Sequence, residues 1–293
     1  MPGMDRRTVL SSLLRPIAAK MALSTATLLA AVKPLTAQGN APLKLGVIPK
    51  VNARTLATQY EPLQSYLTKQ LRLEVQLATT SDWQSFYKAA KLGGFDLIVA
   101  PAHFARMLQN EKAAIPIATF QPRIKSVFVT LRTETDSRPI MARGKSIAFA
   151  NPLSLVSMAG EQWLDQNGLR LGIDYQNTHV RGEDSVGPTV ARGEAFAGVM
   201  GLNEFNAQST ALKDQLKVSA VIAELPAYMV LTAKHISEST SNLIASHIGN
   251  FSENSLEGKQ FLQKAGFSIS RNISVIDMKI AESYGEKIRP LLT

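Results

Sequence analysis

Asn151 and Ser154 stand where a short apolar run, 146–150, gives way to helical periodicity from Ser154 to Asn167. A strand-to-helix turn of this kind aims hydroxyl, amide and first-turn N–H groups at one point, an arrangement suited to an anion. Further polar groups follow apolar runs in the same way: Lys50 and Asn52 after 43–48, His103 after 95–100, and Arg181, Glu183 and Asp184 after 178–180. Ser126 opens the run 126–132, close to where the chain would first change lobe. Residues at the carboxyl ends of parallel strands face a ligand crevice. These residues therefore predict a site for a small polar solute, with His103 either donating to an anion, acting as a pH-sensitive contact or serving as a structural loop residue.

The same residues give little to a catalyst. Gly144-Lys145-Ser146 resembles the end of a phosphate loop, but Pro139 occupies the required upstream glycine position and a strand follows instead of a helix. Ser185 has Gly182 and Gly187 around it, the wrong spacing for a nucleophile elbow. Glu183 and Asp184 are adjacent, so on a strand they point apart. His179, His235 and His247 lack metal-ligand spacing. With no cysteine in the chain, disulfides, thiolate metal sites and a cysteine nucleophile are excluded. The expectation is a binding protein without cofactor or metal; an enzyme using the same cleft is the remaining reading from another class.

The 293 residues are 45% hydrophobic and 19% charged, ordinary globular values. Residues 1–37 read as an export signal: Arg6-Arg7, an apolar stretch from Met21 to Val32, Lys33, and small residues for cleavage between 37 and 41. The arginine pair followed by Thr8, Val9 and Leu10 fits a twin-arginine signal, and an ordinary Sec signal fits as well. That segment carries five of the 32 cations and one of the 23 anions, so the net charge drops from +9 to +5 without it. A modest excess can steer a small anion. It does not form the basic, aromatic-interleaved stripe of a nucleic-acid binder. The expected location is the periplasm.

Strands and helices alternate along the rest. LKLGVI (43–48), a helix carrying Leu56, Tyr60, Leu63, Leu67 and Leu71, a strand at 73–77, a helix capped by Ser81 or Asp82, and FDLIVA (95–100) follow in under 60 residues. That is a parallel sheet wrapped by helices. A second block spans 146–200, and two apolar runs in 218–231 are broken by Glu224, Leu225 and Pro226. The fold class expected is α/β, with two lobes around a cleft joined by two crossing segments. Residues 42–132 plus 225–293 would form lobe 1, and 133–224 lobe 2.

Taken in order, LKLGVIP, EPLQSYLTKQL, LEVQLATTSDW, GGFDLIVAPAHF, RGKSIAFANPLS (143–154) and EGKQFLQKAGF (257–267) resemble the phosphonate/phosphite-binding (PhnD-like) periplasmic proteins of ABC transporters. The resemblance implies a type II periplasmic-binding-protein fold and a monomer that captures a small ligand for a membrane permease, or for a sensor receptor. Its ligand motifs are altered here. Phe104 stands at the family's tyrosine; Ser154, Leu155, Val156 and Ser157 replace a Ser-Thr-Ser-Gly turn; Phe196 replaces an acidic residue; and Asp184 replaces a histidine. Fewer oxyanion donors imply a kept fold with a changed ligand.

Overall fold

A computed structural model describes residues 41–292. The expected export signal, 1–37, lies outside the described residues. The chain first runs β1 (Leu43–Val47), α1 (Ala53–Leu71), β2 (Val75–Ala78), α2 (Trp83–Lys91), β3 (Leu97–Pro101), α3 (Ala102–Asn110) and β4 (Ala114–Gln121). Beyond Pro122-Arg123 come β5 (Ile124–Leu131), β6 (Ser146–Phe149), α4 (Leu155–Gln166), β7 (Gln176–His179), α5 (Val186–Ala191), β8 (Ala197–Gly201), α6 (Leu202–Asn206), α7 (Thr210–Lys213) and β9 (Leu216–Leu225). After Pro226-Ala227 it continues through β10 (Tyr228–Ala233), α8 (Glu238–Asn254), α9 (Leu256–Ala265), β11 (Ser268–Ser270) and α10 (Val275–Ile288).

Two sheets result, ordered β11-β4-β10-β3-β1-β2 and β7-β6-β8-β5-β9. Both follow one plan. Three parallel strands (β2-β1-β3 and β7-β6-β8) are followed by an antiparallel strand that has just crossed from the other lobe, β10 in the first sheet and β5 in the second. The sheets correct the lobe boundary read from sequence. The strand at 124–131, placed with lobe 1 on sequence, pairs with β8 and β9 in the second sheet. The outward crossing is therefore the two residues Pro122-Arg123, and the polar run at 133–139 is a loop within lobe 2.

Local chemistry accounts for the elements that carry the site. Leu56, Tyr60, Leu63, Leu67 and Leu71 fall on the buried face of α1, as their spacing predicts. Asn52 Oδ1 accepts the Thr55 N–H at 3.0 Å and caps that helix. Pro62 does not break it, because the carbonyl it leaves unpaired belongs to exposed Thr58. Asp82 caps α2 through the Ser85 N–H at 2.7 Å, and Gly93, at φ 77°, lets the chain turn out of it. β3 ends at Pro101 and Pro49 lies two residues past β1, so Pro49–Asn52 and the start of α3 stand at the carboxyl ends of these strands. No helix among the described residues is long and apolar enough to cross a membrane.

Candidate ligand site between the lobes

Lys50, just past β1 in lobe 1, meets Glu204 of α6 in lobe 2, with Nζ 3.2 Å from Oε1. Both side chains are about five-sixths buried, at 15% and 16% exposure. The ammonium also lies over the Tyr228 ring, 5.0 Å from its centroid. Burial alone would lower the Lys50 pKa, but Tyr228, Glu204 and Glu183 hold it well above its ordinary value. Glu183 completes the cluster. It is buried at 5% exposure and hydrogen-bonded to Glu204. Burial first, and then the neighbouring Glu204 carboxylate, push its pKa up to about 8. At neutral pH Glu183 therefore holds a proton and can donate it to Glu204 while Lys50 stays charged.

Gly201, at the end of β8, leaves the space that the Glu204 carboxylate occupies beside Lys50. A Cβ there would lie 2.0 Å from Glu204 Oε2.

Two cavities adjoin this cluster. The inner one, at the amino end of α4, measures about 10 Å³ between Trp83, Pro101, Leu155, Val156, Glu183 and Tyr228. The outer one is a groove of about 1190 Å³ that begins at Lys50, Asp184 and Glu204 and continues between α1 and α9.

The residues singled out on sequence divide between these places. Lys50 and Asp184 line the outer groove and Ser154 the inner pocket. Ser154 is the N-cap of α4, its Oγ accepting the Ser157 N–H at 3.0 Å and lying 3.0 Å from the Ser157 Oγ. Asn151 Oδ1 accepts the Leu153 N–H at 2.8 Å, so its amide shapes the turn into α4. Ser126 is fully buried on β5, its hydroxyl 3.4 Å from the Val156 carbonyl.

His103 is also fully buried. Its Nε2 donates to the Leu153 carbonyl at 2.9 Å, and the contact joins lobe 1 to the turn of lobe 2. Burial pushes its pKa down to about 3, so the ring is neutral, with Nδ1 unpartnered. This makes it a strut between the lobes, and the residue lines neither cavity.

Others stand away from the cleft. Phe104 is core, edge-on to Trp83 and Tyr87 at 5.8 and 5.1 Å. Asn52 is exposed and spent on its cap, and Arg181 is exposed as well. Phe196 precedes β8 at its amino end, with Lys145 Nζ 3.9 Å from its ring centroid, whereas the cleft lies at the carboxyl ends. Sequence reasoning missed Glu204 and Tyr228. Glu204 follows a strand as His103 does, and that position was the available signal; Tyr228 had only its place after Pro226.

Two lobes with matching strand orders, two crossings and a charged cleft at the strands' carboxyl ends define a type II periplasmic-binding-protein fold. The chain matches the family described as "ABC transporter, phosphonate, periplasmic substrate-binding protein" over residues 45–275, and it belongs to that family. It is similar to PhnD1 from Prochlorococcus marinus in complex with methylphosphonate, with TM-score 0.73, 19% identity, and coverage of 85% of this chain and 99% of that one. A binding protein component of an ABC phosphonate transporter from Pseudomonas aeruginosa gives 0.69 and 11%, covering 87% and 97%. The periplasmic aliphatic sulphonate binding protein from Escherichia coli gives 0.61 and 13%, covering 86% and 93%.

Proposed function

We propose that the chain captures a small solute between its lobes and that the closed, loaded form is recognised by the permease of an importer. The observation that carries this is the pairing of Lys50 with Glu204, one from each lobe, at the head of an open groove. A solute touching both groups binds the closed form better than the open one, and that difference shifts the population toward closure. Export by the segment 1–37, residence in the periplasm and action as a monomer without catalysis belong to the same reading.

The solute's head group differs from a bare phosphonate. The Ser154 hydroxyl is committed to Ser157, Phe104 offers no donor, and the charge of Lys50 is already paired with the Glu204 carboxylate. A dianion there would find few hydroxyl donors and meet the like charge of Glu204. A head bearing positive charge, or charge of both signs, suits the Lys50 and Glu204 pair, with Glu183 neutral beside it.

The test is a thermal-shift screen of the purified protein against phosphate, phosphite, phosphonates, aminophosphonates, sulfonates and small amines, followed by calorimetry on each hit. Stabilisation grows with ligand concentration relative to its dissociation constant. Selective shifts by amine-bearing solutes, abolished in Lys50→Met and Glu204→Gln, are expected. Tight binding of plain phosphite or methylphosphonate would overturn the head-group assignment. Consumption of the bound solute would overturn the transport reading.

A further inference from the structure

A groove of about 1190 Å³ exceeds the roughly 300–1,000 Å³ that suffices for a drug-sized ligand, and it far exceeds what a two- or three-carbon solute fills. Its shape is long. The residues of α1 that line it run from Arg54 to Gln70, sixteen steps along one helix, or about 24 Å at 1.5 Å per residue.

Its two ends differ in chemistry. The inner end holds the ionic groups Lys50, Asp184 and Glu204. Beyond them the wall is aromatic: Tyr60 and Tyr66 from α1, Phe120 from β4, Phe261 from α9, and Phe267 just after it. Tyr60 and Phe261 meet edge-on at 5.7 Å, and Phe120 and Phe267 at 5.9 Å. Tyr66, Phe261 and Phe267 remain partly exposed, so their rings offer free apolar surface. Over the whole groove the charges balance, Lys50, Arg54, Lys69 and Lys264 against Glu61, Asp184, Glu204 and Glu257. No single sign of charge therefore dominates the wall that the body of an occupant meets.

We propose that this groove is the outer half of the ligand site and that the solute is an elongated amphiphile. Its charged head sits at Lys50 and Glu204, and its uncharged alkyl or aryl body lies along the aromatic wall between α1 and α9. The proposal rests on the reading of the cleft as the solute site and adds the class of solute. It also explains the near-closure of the inner pocket, since the ligand's bulk lies outside that pocket.

The experiment is titration calorimetry with two homologous series, n-alkylamines and n-alkylphosphonates, from two to ten carbons, using the purified protein. In at least one series, affinity is expected to rise about fourfold per methylene as the body enters the groove. Phe261→Ala and Tyr66→Ala should flatten that rise while short members bind as before. Gln260→Trp, at an exposed position on α9, should block long members only, and it keeps the test sound if either truncation unfolds the protein. Binding that is independent of length would overturn the groove while leaving the cleft reading intact. So would a compact solute from the wider screen that binds when neither series does. Failure of every solute would remove the cleft reading itself. A stable dimer in light scattering that Tyr66→Lys converts to monomer would show that a second copy covers the groove, and it would also overturn the proposal.

Discussion

Lys50 and Glu204, 154 residues apart in sequence, form an ion pair across the cleft over the ring of Tyr228. Each comes from a loop or helix start at the carboxyl end of a strand, β1 for the lysine and β8 for the glutamate. Removing one partner leaves the other charge buried. Lys50→Met or Glu204→Gln alone should cost about 1–3 kcal/mol, less than the roughly 3–5 kcal/mol of a wholly buried pair. The double variant should cost less than the sum. Denaturant unfolding of the four proteins measures this, and additive losses would mean that the pair is not coupled.

Gly201 provides a steric route to the same contact. Gly201→Ala puts a methyl group where Glu204 Oε2 now lies, and the backbone φ of −71° suits alanine. The variant should therefore displace the carboxylate without breaking the fold. It should weaken stability in the wild-type background and do almost nothing on a Glu204→Ala background. A similar loss in both backgrounds would place the strain elsewhere.

Opposite pH dependences are built into the cleft. Folded Glu183 keeps its proton up to about pH 8, whereas the unfolded chain releases it near 4.5. Its contribution to stability is therefore complete below about 4.5 and lost as pH rises through about 8. Folded His103 refuses a proton until about pH 3, and the unfolded chain accepts one near 6.5. Its contribution is complete above about 6.5 and lost as pH falls toward 3. Melting temperature against pH should fall on both sides of an optimum. Glu183→Gln should remove the decline between about pH 6.5 and 8, and His103→Gln should soften the acid limb. A Glu183→Gln profile parallel to wild type would refute the protonated buried carboxyl.

Ser154→Ala should lower stability by about 1–2 kcal/mol, the usual cost of losing a helix N-cap, with the Ser157 hydroxyl left without its partner. Chemical denaturation without ligand checks this. A serine placed only for the solute would show no change in that measurement.

Much of the fold was legible because local rules acted alone. The five apolar positions of α1, a cap at Ser81 or Asp82, and the strands β1 and β3 with a proline just past or at their ends each follow from a short window of residues. α3 and β4 were not legible. α3 buries six of its nine residues, its polar stripe of Arg106, Gln109 and Asn110 comes only toward its end, and it lacks a side-chain cap. Pro116 interrupts β4, whose burial does not alternate. The outward crossing escaped notice because two residues leave no compositional mark, while a longer polar loop at 133–139 imitates a linker.

The site was legible by position and opaque by partnership. Of the residues read after strand ends, Lys50, Asp184 and Ser154 line cavities. Sequence spacing could not show that the Ser154 hydroxyl is committed to a helix cap, that His103 spans the lobes, or that Glu204 lies opposite Lys50. Those facts depend on two sheets meeting, and no local window contains both.

The strand order also sets a timetable for synthesis. β10 sits between β3 and β4 at the middle of the first sheet, yet it is made after all five strands of the second. As the chain emerges, residues 124–225 can complete their sheet while β3 and β4 wait with open edges for a strand that ends at Ala233. A chain halted just before Tyr228 would thus carry every strand of lobe 2 and a lobe 1 missing both its middle strand and its β11 edge.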